Sequence, residues 1–381
     1  MDQTQTFIPA LIRQGAAAHA TETILRTKDR GIWKSVTWTQ LDARVSQIGA
    51  ALLAYGFGCG DVVAVLSETR LEAAYADLAI LGSGAASVAI CPEAEPDRVC
   101  HILSSSGARL IFVENEEQLD KVLQIRDRCP GLTRIVVSDM KGLREFADPM
   151  VMSLEAFSKG PDGGGAWGAA VQSITADQPA VIQFPRGEAS GFGRVLTHGD
   201  LTHMVQATGA RLTIRPRDER LAVLRLVNIT ERVWGLYLGL ATRCISNFPE
   251  RPDTVLENLQ ELQPTVLGAD AEVWDRLHTL ADQRTKAATR TQRAACQWAM
   301  RAGKAGGPGR MLANLLVLRA VRREFGLHRL RLAYVGGTEV SPAALNWAKS
   351  LGIAIQRLDE PVLRSGQVDE RYQTLMQNAY A

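Results

Sequence analysis

The residues best suited to hold an anion lie in one short stretch, Phe184-Pro185-Arg186-Gly187-Glu188-Ala189-Ser190-Gly191-Phe192-Gly193-Arg194. Glycine lets a backbone approach a ligand closely, and successive N–H groups, a serine hydroxyl and two guanidinium groups are donors that collect around phosphate. Glu188 opposes this, because a carboxylate facing a polyphosphate is repelled unless a cation intervenes. Turns also use glycine, so the Gly content alone does not define a phosphate site. The stretch fails the P-loop NTPase pattern, since Phe192 stands where the second Gly is required. No Gly-x-Ser-x-Gly occurs, which removes the hydrolase elbow. Among six histidines only His198 and His203 are close, five apart at a helix start, where surface or capping roles outweigh ligation. Six scattered cysteines form no Cys-x-x-Cys pair, so no metal site is expected and reduced thiols are the default.

The elements that must position these residues follow a repeating pattern. Asp61–Leu66, Ser87–Ile90, Arg109–Val113 and Arg134–Ser138 are short apolar runs. Helical spacing separates them over Thr69–Leu81, Asp97–Ser105 and Glu116–Arg128. Continuous apolar strands alternating with amphipathic helices predict a parallel α/β sheet. Lys159–Gly165 contains no core-forming residue and reads as a surface loop or a hinge. The alternation then resumes with strands at Ala180–Phe184, Arg220–Leu226, Pro264–Leu267, Leu330–Val335 and Ile353–Gln356. Helices are expected from His198 to about Leu212, over Glu231–Leu240 and Ala271–Leu280, in two long patterns near 285–302 and 310–325, and from Ser341-Pro342.

Several strings resemble the AMP-forming acyl-CoA synthetases of the adenylate-forming superfamily. They are Trp33-Lys34-Ser35-Val36-Thr37-Trp38-Thr39-Gln40-Leu41, Gly58-Cys59-Gly60-Asp61-Val62-Val63-Ala64, Asp77–Leu81, Ser106–Leu110 and Leu196-Thr197-His198-Gly199-Asp200-Leu201. Thr230-Glu231-Arg232, Gln263–Leu267, Val273–Leu277 and Val335-Gly336-Gly337-Thr338 before Ser341-Pro342 are similar to the long-chain fatty acid–CoA ligase branch. The resemblance runs from about Ala20 to Gly366. It implies two α/β subdomains of an adenylation domain, drawn at 1–172 and 173–366 with a tail over 367–381, and no C-terminal lid domain. It also implies ATP or AMP, magnesium and coenzyme A as cofactors, and a fatty acid that becomes an acyl adenylate and then a thioester. The nucleotide site it suggests comprises Gly187, Ser190, Arg194, Thr197, Gly336, Gly337 and Thr338, and the acyl pocket Asn228, Trp234 and Tyr237. Core packing is the competing role for Trp234 and Tyr237.

The same resemblance exposes departures. The family's adjacent threonines fall on Glu188 and Ala189, and its loop lysine falls on Gly193 or Arg194. The later Tyr-Gly-x-Thr-Glu motif reads Asp359-Glu360-Pro361-Val362-Leu363, which puts Val362 in place of a phosphate-contacting Thr and Leu363 in place of a magnesium-holding Glu. Neither side chain can donate or ligate. Arg225 and Asn228 stand where the acyl region usually has Pro and His. A hydrogen bond to a charged group contributes about 1.5–3 kcal/mol, so losing several such contacts removes much of the catalytic advantage. Three readings follow: a degenerate, non-catalytic homologue with a binding or regulatory role; an active ligase using Arg186, Ser190 and Arg194 with a lid from a partner chain; and a truncated remnant.

Composition limits the partners. The 381 residues carry 43 Lys and Arg against 41 Asp and Glu, a net +2 that argues against a nucleic-acid binder. Residues 284–331 hold twelve Lys or Arg and one acid, Glu324, so this segment is +11 and the remainder −9. It is either the solvated faces of two helices or a contact with an anionic ligand or acidic membrane surface. An acyl or acyl-CoA ligand, self-association and a full-length synthetase are the expected partners. No apolar stretch is long enough to span a bilayer and no signal peptide is evident, so a cytoplasmic location is expected.

Overall fold

A computed structural model of the chain describes residues 6–160, 165–184, 193–305, 307–336 and 339–358. Its strands in chain order are β1 (Thr23–Asp29), β2 (Ile32–Thr37), β3 (Val62–Leu66), β4 (Ala86–Ile90), β5 (Leu110–Val113), β6 (Arg134–Val137) and β7 (Val151–Ser153). Then come β8 (Pro179–Gln183), β9 (Arg194–Thr197), β10 (Glu219–Leu221), β11 (Ile245–Phe248), β12 (Val266–Ala269), β13 (Leu332–Gly336) and β14 (Ile355–Leu358). They form two seven-stranded sheets, β7-β6-β5-β3-β4-β8-β9 and β14-β13-β12-β10-β11-β1-β2. Each is parallel except for one antiparallel edge pair, β8–β9 in the first and β1–β2 in the second.

The alternation of side chains explains how both sheets become buried. Along β3, Val63 and Val65 face the main core while Val62, Ala64 and Leu66 face a second cluster on the outer side. The main core fills the layer between the sheets with the helices Trp38–Ala54 and Leu71–Ser83 and with Val266, Leu332 and Tyr334 of the second sheet. Helices Pro96–Ser106 and Glu116–Ile125 cover the far side of the first sheet, and Ala271–Ala287 and Pro342–Ser350 the far side of the second.

The sheets do not divide at 172/173. β8 and β9 join the first sheet, and β1 and β2 cross to the second, because the two sheets share the middle layer of helices. The strand expected over 220–226 ends at Leu221, since the segment beyond it is held by hydrogen bonds from the first sheet. Residues 161–164 of the expected hinge lie outside the described residues. The helices on either side of it, Leu154–Ser158 and Ala166–Ser173, both pack on Trp38–Ala54.

Candidate functional site

The carboxyl ends of the two sheets meet, and parallel α/β sheets bind ligands at such ends. From the first sheet come Glu68, Thr69 and Arg70 after β3, Cys91 and Glu93 after β4, and Gln183 at the end of β8. From the second comes the segment 222–230 after β10, followed by the helix beginning at Glu231. The Thr69 hydroxyl donates to the Leu224 carbonyl at 3.0 Å and accepts the Leu226 N–H at 2.8 Å. Gln183 Nε2 donates to the Val227 carbonyl at 3.1 Å. The Arg225 guanidinium spans Glu93 at 2.6 Å, Cys91 Sγ at 3.3 Å and Glu68 at 3.8 Å. Its hydrogen bonds to Glu93 raise its pKa above the ordinary value. Burial raises that of Glu68.

Asn228 turns the chain into the next helix. Its side-chain carbonyl accepts the Thr230 N–H at 3.1 Å, and its backbone carbonyl accepts from Glu231 and Arg232. Residues Glu231–Tyr237 are wound as a wide i→i+5 helix that continues as α-helix over Leu238–Thr242, and such widened turns are frequent at functional sites. Both charged residues at its start are buried. Glu231 accepts from Arg220 of β10 at 2.5 Å, and Arg232 contacts Asp77 at 3.0 Å and the Ser87 hydroxyl at 3.1 Å. Ser87 and the Tyr237 hydroxyl also donate to the Asp77 carboxylate, at 2.7 and 2.6 Å. Burial pushes the Glu231 carboxyl up to about 6 against the pull of Arg220.

Trp234 and Tyr237 are both buried in the main core. Trp234 meets Tyr334 edge to face, with ring centroids 6.3 Å apart, and accepts the Tyr334 hydroxyl on its carbonyl at 3.2 Å. Its indole also lies against the end of β13, where a Cβ at Gly336 would fall 2.3 Å from the ring. Tyr334 fills the matching space at Gly268, where a Cβ would again be 2.3 Å away. These two glycines therefore admit the aromatic rings.

The remaining expected residues separate. Arg194 is exposed at the start of β9. Thr197 caps the helix His198–Arg211, its hydroxyl accepting the Asp200 N–H at 3.1 Å while Asp200 accepts the Thr197 N–H. Gly187, Ser190, Gly337, Thr338, Val362 and Leu363 lie outside the described residues. His198 is buried and His203 exposed, so the two do not share a ligand. No group of three His, Cys, Asp or Glu able to hold a metal occurs among the described residues. Reading the sequence missed the Asp77–Ser87–Arg232–Tyr237 network. The available signal was a lone Asp in the apolar helix Leu71–Ser83, a residue type seldom buried without a partner.

A 230 Å³ cavity opens beside this junction, lined by Glu68, Arg70, Glu114, Glu250 and Arg251 among others. Carboxylates outnumber guanidinium groups on its walls, which opposes a polyphosphate without a cation. A larger cavity of 790 Å³ lies at the opposite, amino end of the first sheet beside Asp61, Arg109 and Cys129.

Known proteins share this architecture. The chain is 24% identical over 351 residues to the long-chain-fatty-acid–CoA ligase FadD15 of Mycobacterium bovis, covering 85% of this chain and 55% of that protein. It is 21% identical over 380 residues to the long-chain-fatty-acid–CoA ligase ACSBG2 of Mus musculus, covering 93% and 56%. The chain thus spans little more than half the length of these relatives. Among solved structures, the N-terminal domain of FACL13 from Mycobacterium tuberculosis superimposes with a TM-score of 0.69 at 15% identity, over 93% of this chain and 75% of that one. The anthranilate CoA ligase AuaEII in complex with anthranoyl-AMP gives 0.69 at 19% identity, over 93% and 58%. The model of the AMP-binding enzyme family matches residues 12–358, almost the whole described chain, and the protein belongs to that family.

Proposed function

We propose that the protein is a long-chain acyl-CoA synthetase-like AMP-binding domain that does not activate fatty acids on its own and serves a binding or regulatory role in fatty-acid metabolism. What supports this reading is the packing of Trp234, a residue the resemblance assigns to the acyl pocket, edge to face on Tyr334 in the main core, which on this reading fills the space for an acyl chain. A carboxylic acid cannot be held in line with a nucleotide phosphate if the space for its chain is occupied, and positioning is a large part of what such catalysis needs. The sequence supports the same reading, with Val362 and Leu363 at positions where the family places a hydroxyl and a carboxylate.

Labelled palmitate tests the reading. The wild-type chain is expected to bind none above background. Trp234→Ala removes the indole and opens a cavity at a stability cost of about 3–5 kcal/mol, and it is expected to gain palmitate binding. Stoichiometric binding by the wild-type chain would overturn the reading.

A further inference from the structure

The basic segment ends in a helical run over 307–324 whose outward side is unusual. The run comprises the α-helix Gly307–Ala313, a wide turn over Asn314–Leu318 and the α-helix Arg319–Glu324. Ala313 and Leu318 are buried and Val317 and Val321 half-buried, which fixes the inward side. Four large apolar side chains point the other way: Met311 is 81% exposed, Leu312 51%, Leu315 67% and Leu316 62%. Their spacing is that of one helix face. Single exposed apolar residues are ordinary, but a contiguous row rimmed by polar groups marks an interaction surface.

The rim is cationic. Arg310, Arg319 and Arg323 are exposed on the same run and carry no carboxylate partner among the described residues. Four cations of the segment are paired, Arg284 with Glu324, Lys286 with Asp282, Arg329 with Glu219 and Arg331 with Asp218, while Arg290, Arg293, Arg301 and Lys304 of the preceding helix also have no carboxylate partner among the described residues and add to the positive charge. The free cations crowd one another. Burial and Arg310 together lower the pKa of Arg322, and burial with Arg319, Arg323 and Arg322 lowers that of His328. Unrelieved positive charge beside an apolar row calls for a partner that is anionic and apolar at once. A second copy of this chain is a poor occupant, because it would bring the same cations face to face.

We propose that the outward face of this run is an interfacial membrane contact, laying Met311, Leu312, Leu315 and Leu316 into the acyl boundary of a bilayer while Arg319 and Arg323 meet anionic lipid headgroups. An amphipathic helix with cations flanking its apolar face binds in this way, parallel to the surface. No helix of the described residues is long and apolar enough to cross a membrane, and the contact requires none. It rests on surface residues alone and stands whether or not the acyl region is closed.

Co-sedimentation of the full chain with vesicles tests the proposal. Vesicles of equal parts phosphatidylcholine and phosphatidylglycerol are expected to capture the protein, and vesicles of phosphatidylcholine alone are not. Arg319→Ala with Arg323→Ala should weaken capture by about thirtyfold, because each cation near an anionic surface contributes about 1 kcal/mol. Leu315→Ser with Leu316→Ser should weaken it by about tenfold or more through lost apolar burial. These positions are exposed, so unchanged melting transitions will show that the variants fold, and Ile32→Ser, exposed elsewhere, should leave capture unchanged. Absence of capture by the anionic vesicles would overturn the proposal, and so would capture that survives either double substitution. A dimer in light scattering that the leucine substitutions dissociate, without vesicle binding, would assign the face to a second copy instead.

Discussion

His198 opens the helix His198–Arg211, packed edge to face on Phe7 with ring centroids 6.0 Å apart and with neither ring nitrogen hydrogen-bonded among the described residues. Burial alone lowers its pKa from 6.5 to about 4. As the pH falls, the unfolded chain takes up this proton first, so stability is full above about 6.5 and declines toward 4. The loss amounts to about 3 kcal/mol across that window, and none is added below it. Glu231 works in the opposite direction, since its raised pKa makes the fold take up a proton before the unfolded chain does. Comparing urea denaturation of the wild type and His198→Leu at mildly acidic and neutral pH isolates the histidine. The variant is expected to lose less stability on acidification, and equal losses would show that His198 is not held neutral by burial. At this scale the sequence was only partly legible. Types such as Asn228 and Trp234 were visible, but a side chain's partner 140 or more residues away, as Ser87 is for Arg232, leaves no local trace.

At the scale of elements, parallel strands buried on both faces were legible because they are continuous apolar runs, as in Val62–Leu66. β1 and β2 were not, because Thr23–Asp29 and Ile32–Thr37 form a partly exposed edge pair whose charged residues break the apolar pattern. The helix over Glu231–Leu240 was expected, but its widened turn and buried charges were not. Those charges tie elements together: Arg220–Glu231 joins β10 to the helix, and Arg232–Asp77 joins the same helix to the first sheet's helix Leu71–Ser83. Breaking a buried pair by removing one partner costs about 3–5 kcal/mol, whereas replacing both by apolar residues is often neutral. Glu231→Gln is therefore expected to lower the denaturation midpoint sharply, and Arg220→Met with Glu231→Leu to recover most of the loss. If the double substitution is as damaging as the single one, the pair is more than a neutralised buried charge.

At the scale of the whole molecule, two sheets share one helical layer, and the chain crosses between them twice, which a linear division at 172/173 could not anticipate. The architecture is that of the AMP-binding enzyme family, yet the sheet ends that meet are spanned by Arg225, Thr69 and Gln183 and backed by aromatic rings. The uneven charge visible in the sequence acquires a location here, because Arg319 and Arg323, without carboxylate partners among the described residues, lie beside an exposed apolar row on 307–324. We propose that the fold is kept while the space for an acyl chain is filled. Pyrophosphate release from ATP, magnesium and a panel of saturated fatty acids tests this most directly. The prediction is no release above the rate without protein for any chain length, and fatty-acid-dependent release by the purified wild-type chain would contradict it.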